Sequence, residues 1–252
     1  MDTILDNKGK TLKLIEKELK RFEEKLSSAI NKYPMQVSNK IIDFIFSKSK
    51  KIRPALIILI AKALEYDLPD CVIKLAVSSE LIHNATLIHD DIIDNAQIRR
   101  GKTSLNVEIG NNLSVLSGDF ILAIAMRNLA ECENYLIFNV FSEALTKMCI
   151  GEIDQNFNIN KVISINEYIE KSQYKTAELF SASLESLCIL LDIKEKDRIK
   201  DFAINFGIAF QIRDDYINIK KTDKLKPCLS DIYNGIYTAP VIFLFEEKLF
   251  TT

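Results

Sequence analysis

Long helices are the main constraint that this sequence places on its fold. Only 7 glycines and 5 prolines interrupt 252 residues, and these two residues are the strongest breakers of regular structure. Apolar residues recur at helical spacing, and no strand-like alternation is found. The pattern predicts helices over Ile4–Ile30, Ser38–Ser47, a segment that starts near Pro54 and closes before Pro69, Asp70–Asp94, Asn106–Cys132, Tyr135–Asn158, Ile165–Leu191, Lys194–Lys220 and Asp231–Phe250. We therefore predict an all-α chain with a single domain over residues 1–252.

The composition narrows the class of protein. A content of 48% hydrophobic and 27% charged residues is ordinary for a soluble globular chain, and a net charge of −2 does not favour a nucleic-acid partner. Five cysteines without a CxxC pair are typical of buried thiols in a reducing compartment. No apolar run approaches the roughly 18 residues that span a bilayer, and the N-terminus does not resemble a signal peptide. These features predict a cytoplasmic protein without a transmembrane segment.

The stretch HDDIIDNAQIRRGKTS, which begins at His89, crowds three carboxylates into five positions. In a helix Asp90 and Asp94 share one face, and Asp91 lies beside them. The negative end of the helix dipole increases their repulsion. A solvated acidic helix end could explain one such cluster, but this helix is apolar around most of its surface. A divalent cation is the better explanation, and Mg²⁺ commonly shares carboxylate ligands with water and substrate phosphates.

A second acidic pair strengthens the case for metal ions. In FQIRDDYIN, residues 210–218, Asp214 and Asp215 follow Gln211 on another mostly apolar helix. Either acidic motif alone is weak evidence. Two helices that each present an aspartate pair into one bundle would form a site for several metal ions, and the space between them would accept a strongly anionic ligand.

Basic residues accompany both acidic motifs. Arg99 and Arg100 follow the first motif, Lys50, Lys51 and Arg53 precede Pro54, and Lys175–Thr176 lies in QYKTAELF among apolar neighbours. The KSKKIRP stretch alone would be read as a solvated loop. A metal-bound diphosphate beside a second diphosphate held by lysine and arginine accounts for both the acidic and the basic crowding.

These motifs resemble those of the trans-isoprenyl diphosphate synthases, in the long-chain polyprenyl branch, over residues 48–240. The stretch LIHNATLIHDDIIDNAQIRRGKTS resembles the first aspartate-rich motif, and FQIRDDYIN resembles the second. KKIRP resembles the isopentenyl diphosphate loop, GDF and GEIDQ two helix signatures, and KTAELF the Lys-Thr motif. The resemblance implies an isoprenoid-synthase-type bundle of long antiparallel helices around a central cavity, usually dimeric. It also implies three Mg²⁺ ions and head-to-tail condensation of isopentenyl diphosphate with an allylic diphosphate.

The resemblance assigns residues to three tasks. The metal ligands and their supports are Asp90, Asp91, Asp94, Asp214 and Asp215. The residues that bind the two diphosphates are Lys50, Arg53, His83, Arg99, Arg100, Lys175, Gln211 and Lys226. Oxygen dipoles and a ring face would stabilise an allylic cation, and these come from Thr176, Gln211 and Phe210. The residues expected to carry catalysis are Lys175, Thr176, Gln211, Asp90 and Asp214. His89 is expected to orient the neighbouring carboxylates.

The sequence departs from the family pattern in a few places. Lys48–Ser49 stands where two glycines are usual, Asn218 replaces a third aspartate and Ile236 replaces a usual lysine. Only 38 residues follow Asp214, so the domain is apparently short at its C-terminus. An inactive or partner-dependent subunit of a heteromeric synthase is therefore an alternative. A terpene cyclase is a weaker one, since it would not need Lys50 and Arg53. Retention of both mutually repelling acidic motifs favours an enzyme.

Product length is predicted from the residues one turn before Asp90. Ala85 and Thr86 are small, whereas short-chain relatives carry bulky rings there, and the helix that reaches back to Asp70 could line a deep tunnel. Close packing of two helices is an alternative reason for small residues. We expect a product longer than twenty carbons.

Overall fold

The computed structural model describes residues 13–33, 36–47, 49–220 and 229–247. The elements in chain order are α1 (Glu16–Asn31), α2 (Ser38–Ile45), α3 (Ile52–Ala63), α4 (Asp70–Ile93), β1 (Ile98–Arg99), β2 (Lys102–Thr103), α5 (Leu105–Ile109), α6 (Asn111–Ala130), α7 (Tyr135–Phe157), α8 (Ile165–Ser172), a π-helical turn (Gln173–Ala177), α9 (Glu178–Leu191), α10 (Lys196–Lys220), α11 (Ser230–Tyr233) and α12 (Ala239–Glu246). The predicted all-α class is confirmed. Lys226 and the outer ends of the first and last predicted helices lie outside the described residues.

Two of the predicted helices are divided by glycine. The segment Asn106–Cys132 breaks at Gly110, with φ +82°, and the segment that begins at Asp231 breaks at Gly235, with φ +71°. Both φ values lie in the left-handed region, which glycine adopts without steric cost and which ends an α-helix. The apolar spacing continues across both breaks, which is why the sequence pattern alone merges the pieces.

Helix α4 forms the centre of the bundle. It packs against α1, α3, α6 and α9, and most of its side chains are buried on all sides. Burial of each such Leu, Ile or Val side chain stabilises the fold by about 1.5–3 kcal/mol. The central position of α4 fixes where its C-terminal end, with Asp90 and Asp91, meets the rest of the molecule.

A short hairpin follows α4, although no strand was predicted. Ile98 pairs with Thr103 and Arg99 with Lys102, and the two turn residues, Arg100 and Gly101, have φ values of 53° and 77°. Two consecutive left-handed residues are the signature of a type I′ turn. With two residues in each strand, the hairpin is too short to show alternation, and it brings both arginines back towards the end of α4.

A π-helical turn interrupts the predicted helix Ile165–Leu191 at the Lys-Thr motif. Two glycines allow neighbouring helices to approach its backbone closely. A Cβ on Gly207 of α10 would lie 2.5 Å from the Cα of Ala177, and a Cβ on Gly151 of α7 would lie 2.9 Å from the Cβ of Tyr174. The π-helical turn is therefore clamped between α7 and α10.

Helices α4 and α6 are long and apolar enough to cross a membrane by length and hydropathy. The relevant window of α4 is 72% buried inside the fold, whereas that of α6 is 39% buried. A buried core helix meets the same criteria, so these two helices do not establish a membrane span.

Candidate active site

A cavity of about 460 Å³ lies at the C-terminal end of α4, where the start of α3, α7, the π-helical turn and α10 meet. It brings together most of the residues that the sequence singled out. The predicted residues that line it are Lys50, Arg53, His83, Asp90, Arg99, Arg100, Lys175, Thr176, Phe210, Gln211 and Asp214. Segments that are more than a hundred residues apart in the chain therefore contribute to one site.

The second aspartate of each acidic pair does not line this cavity. Asp91 is 1% exposed and accepts hydrogen bonds from Arg99, with the Nε donor at 2.8 Å. Asp215 is 3% exposed and lies 2.5 Å from the hydroxyl of Tyr168. Each carboxylate is held by another side chain of the bundle, and the assignment of both to the metal-binding group stays a prediction.

The acidic wall of the cavity is electrostatically strained. Burial raises the pKa of Asp90 to about 6; Lys175 opposes the rise, and the carboxylates of Glu152 and Asp94 add to it. Burial also raises the pKa of Asp94, the C-cap residue of α4. The charge of Lys175 lowers this pKa, and the charge of Glu152 raises it. Carboxylates that resist ionisation in this way would be relieved by a nearby cation.

These carboxylates fit a hard divalent cation that shares its ligands with a substrate. Within the described residues, no three His, Cys, Asp or Glu side chains form a group that could hold a metal ion. Asp90 and Asp214 nevertheless open into one cavity. Mg²⁺ commonly binds one or two carboxylates and takes its remaining ligands from water and phosphate oxygens. The chain thus offers part of a magnesium coordination sphere and space for the rest.

A second group of residues that line the cavity is basic and partly buried. The guanidinium of Arg53 is stacked 4.3 Å from the ring centre of Phe180, and burial lowers its pKa to about 10, so it stays charged at neutral pH. Burial, together with Arg53 and Arg100, lowers the pKa of His83 well below its usual value. Lys50 is an exposed cation at the edge of the same cavity.

Two glutamates that were not assigned from the sequence, one buried and one partly buried, pair with lysines of the site. Glu80 of α4, 1% exposed, accepts hydrogen bonds from Lys51 at 3.2 Å and from Ser49 at 3.3 Å. Glu152 of α7 lies 2.5 Å from the ammonium of Lys175. Both could have been found from the sequence. Glu152 stands in the quoted GEIDQ signature, and Glu80 lies one turn before His83 on the central helix.

Polar and apolar groups meet at the inner part of the cavity. The hydroxyl of Thr176 donates to Oε1 of Gln211 at 2.6 Å, and the ring of Phe210 lies beside them in the lining. Thr86 also lines the cavity, whereas Ala85 is 2% exposed and belongs to the core. The remaining lining includes the apolar side chains Ile52, Leu87, Ile93, Met148 and Leu179, which would suit a hydrocarbon tail.

The sequence profile of polyprenyl synthetase matches residues 35–249. The chain belongs to the polyprenyl synthetase family. A prenyl transferase of Cyanidium caldarium is 36% identical over 96% of this chain and 78% of that protein. The chloroplastic solanesyl diphosphate synthase 2 of Arabidopsis thaliana is 32% identical over 92% of this chain and 58% of that protein. This polyprenyl synthetase chain therefore spans only part of the length of these relatives.

Solved structures agree with the family. The polyprenyl synthase of Caulobacter crescentus, complexed with calcium and isoprenyl diphosphate, superposes with a TM-score of 0.89 at 27% identity, covering 95% of this chain and 74% of that one. The heptaprenyl diphosphate synthase of Staphylococcus aureus gives 0.88 at 29% identity, covering 93% and 76%. The all-α isoprenoid synthase fold predicted from the motifs is confirmed. Polyprenyl synthetases are prenyltransferases of a type whose activity depends on Mg²⁺.

Proposed function

We propose that this chain condenses isopentenyl diphosphate head to tail with an allylic diphosphate and releases a polyprenyl diphosphate longer than twenty carbons. One observation carries the proposal: Asp90 and Asp214, from two different helices, line the same cavity as Lys175. Family membership supports the reaction class. The names of relatives, which include solanesyl and heptaprenyl diphosphate synthases, support a long product.

The acidic and the basic groups that line the cavity suit two different diphosphates. On the acidic side, Lys175 and Arg99 would bind the allylic diphosphate next to Asp90. On the basic side, Arg53 and the neighbouring Lys50 and Arg100 would bind isopentenyl diphosphate, since paired guanidinium groups bind phosphate oxygens well. His83 would add a hydrogen bond there. Lys226 is proposed as a further substrate ligand from the motif resemblance alone.

Asp90 and Asp214 would hold Mg²⁺, with Asp94 at the end of α4 close enough to contribute, and we propose three ions in the loaded enzyme. The bound ions would supply Lewis acidity to the departing diphosphate. Lys175 would stabilise the negative charge that develops on the same group. The hydroxyl of Thr176 and Oε1 of Gln211 would face the allylic cation with their negative dipoles. The released diphosphate would accept the final proton.

For the assembly we propose a homodimer. Leu113 and Leu116, one turn apart on α6, are 46% and 62% exposed, and exposed apolar patches of this kind are commonly covered by a second subunit. An inactive or partner-dependent subunit is not favoured, because the cavity retains the acidic and the basic groups together and the relatives are named as enzymes. Cytoplasmic location stays a prediction, as the relatives include chloroplastic proteins.

The proposal is tested with the purified chain, isopentenyl diphosphate, Mg²⁺ and allylic primers of five, ten, fifteen and twenty carbons, followed by chromatographic sizing of the products. We expect products above twenty carbons and no turnover in excess EDTA. Asp214→Ala should lower turnover by several orders of magnitude and leave the helical circular dichroism unchanged, whereas Asp201→Ala, an exposed aspartate of the same helix, should behave as wild type. Turnover that survives excess EDTA, or no product from any primer, would contradict the proposal.

A further inference from the structure

A continuous series of hydrogen bonds leads from a buried tyrosine to the cavity. The hydroxyl of Tyr168, on α8, donates to Oδ2 of Asp215 at 2.5 Å. Oδ1 of Asp215 accepts from Nε2 of Gln211 at 2.8 Å, and Oε1 of Gln211 accepts from Thr176 at 2.6 Å. Tyr168 and Asp215 are 1% and 3% exposed, while Gln211 and Thr176 line the cavity.

The buried carboxylate of Asp215 fixes the donor and the acceptor of each hydrogen bond in this series. A phenol can donate to a carboxylate, and a carboxylate that is shielded from water must accept from its neighbours. Asp215 therefore attracts the N–H side of the Gln211 amide. A reversed amide would place Oε1 against the carboxylate and would turn Nε2 towards Thr176, so one buried acceptor would oppose another.

We propose that Tyr168 and Asp215 are positioning residues that hold the Gln211 amide in one orientation, with its oxygen and that of Thr176 directed at the reacting carbons of the allylic substrate. This inference rests on the proposed condensation. With the oxygens forward, the two dipoles stabilise a developing cation, whereas a reversed amide would present N–H groups and destabilise it. Asp215 thus acts through Gln211 and not as a metal ligand.

Tyr168→Phe removes the hydroxyl that fixes Asp215 and keeps the aromatic ring. We expect kcat to fall about tenfold, with the KM for isopentenyl diphosphate and the Mg²⁺ concentration for half-maximal activity within about twofold of wild type. Tyr237→Phe is the matched control, because Tyr237 packs in the same apolar cluster as Tyr168, and it should retain wild-type kcat. A wild-type kcat in Tyr168→Phe would overturn the inference.

A double-mutant cycle separates positioning from general structural damage. If Tyr168 acts only through Gln211, Tyr168→Phe should have no further effect on kcat in a Gln211→Ala background. Two independent, multiplying losses would overturn the inference. The cycle also remains decisive if Tyr168→Phe lowers the melting temperature, because a loss of folded protein would act equally in both backgrounds.

Asp215→Asn tests the assignment of the carboxylate directly. Asn keeps one acceptor oxygen for Gln211, so we expect a smaller loss of kcat than in Asp215→Leu, with unchanged Mg²⁺ dependence in both. A tenfold or larger rise in the Mg²⁺ requirement of Asp215→Asn would overturn the inference in favour of a metal ligand. Wild-type turnover is measured first: its absence would overturn the proposed function together with this inference, whereas the variant results above bear on the inference alone.

Discussion

The contact between Gly207 and the π-helical turn predicts the effect of Gly207→Ala on stability. Higher helix propensity would stabilise the fold, whereas overpacking would destabilise it. In an ordinary helix interior, glycine to alanine stabilises by about 1 kcal/mol. At Gly207 the added Cβ would lie 2.5 Å from the Cα and 2.6 Å from the Cβ of Ala177. Overpacking of this kind costs typically about 1–3 kcal/mol, and a clash with backbone belongs at or above the upper end of that range.

We therefore expect Gly207→Ala to lower the free energy of unfolding by about 2 kcal/mol or more, since the clash outweighs the gain in helix propensity. For a chain of this size a loss of about 2 kcal/mol corresponds to a fall in melting temperature of about 4–8 °C. The shift of Ala177 also moves the adjacent Thr176, so we expect kcat to fall by about tenfold or more, because small displacements at a reacting centre are costly.

The assay is thermal unfolding followed by circular dichroism, with steady-state kinetics on the same samples. Ala209→Ser, at an exposed position of the same helix, adds one heavy atom without a clash and should change stability by no more than about 0.5 kcal/mol. If Gly207→Ala instead raises the melting temperature and leaves kcat unchanged, α10 does not press on the π-helical turn as described.

Three further predictions follow from the cavity. Lys50→Ala should raise the KM for isopentenyl diphosphate about tenfold, whereas Lys175→Ala should mainly lower kcat. If steady-state kinetics show equal effects of both changes on both substrates, the assignment of two separate diphosphate sites is wrong. Thr86→Tyr should shorten the products seen by chromatography without abolishing the first condensation, because Thr86 lines the cavity one turn before Asp90; an unchanged product distribution would place the tail elsewhere. Burial raises the pKa of Asp90 to about 6 in the fold, above the ordinary value of about 4 in an unfolded chain. The folded protein therefore binds this proton more tightly than the unfolded chain, and the metal-free protein loses stability as the pH rises from about 4 to above 6. Asp90→Asn should therefore raise the melting temperature of the metal-free protein at pH 7.5 by about 6–12 °C, with a smaller gain at lower pH. A gain that does not depend on pH would refute this explanation.

The sequence predicted the helices well because the apolar spacing reports burial directly. Helix α4, predicted over Asp70–Asp94, is found over Asp70–Ile93. The cavity was predicted from the motifs, since like charges that are crowded on apolar helices repel one another unless a metal ion or an anionic ligand neutralises them. The short hairpin was missed because two residues per strand carry no alternation, and the type I′ turn has Gly101 at only one of its two left-handed positions.

Adjacent aspartates show where sequence reasoning stops. Neighbouring residues of an α-helix point about 100° apart, so the two members of each pair differ in direction, and Asp90 and Asp214 line the cavity whereas Asp91 and Asp215 do not. Spacing alone does not say which member of a pair faces inwards. That choice depends on partners far along the chain, such as Tyr168 for Asp215. It also depends on the π-helical turn, which no residue pattern in this sequence predicts.

The internal ion pairs of the cavity bear on how the enzyme would let its products go. Lys175 lies 2.5 Å from Glu152, Lys51 lies 3.2 Å from Glu80, and Arg99 is paired with Asp91. When the diphosphate departs, each of these cations can therefore pair with its carboxylate again, and no unpaired buried charge remains. Each pair would lower the barrier to dissociation, so we expect fast release and modest affinity for inorganic diphosphate. Such release suits a catalyst that must clear that group after every five-carbon addition while keeping hold of the growing hydrocarbon.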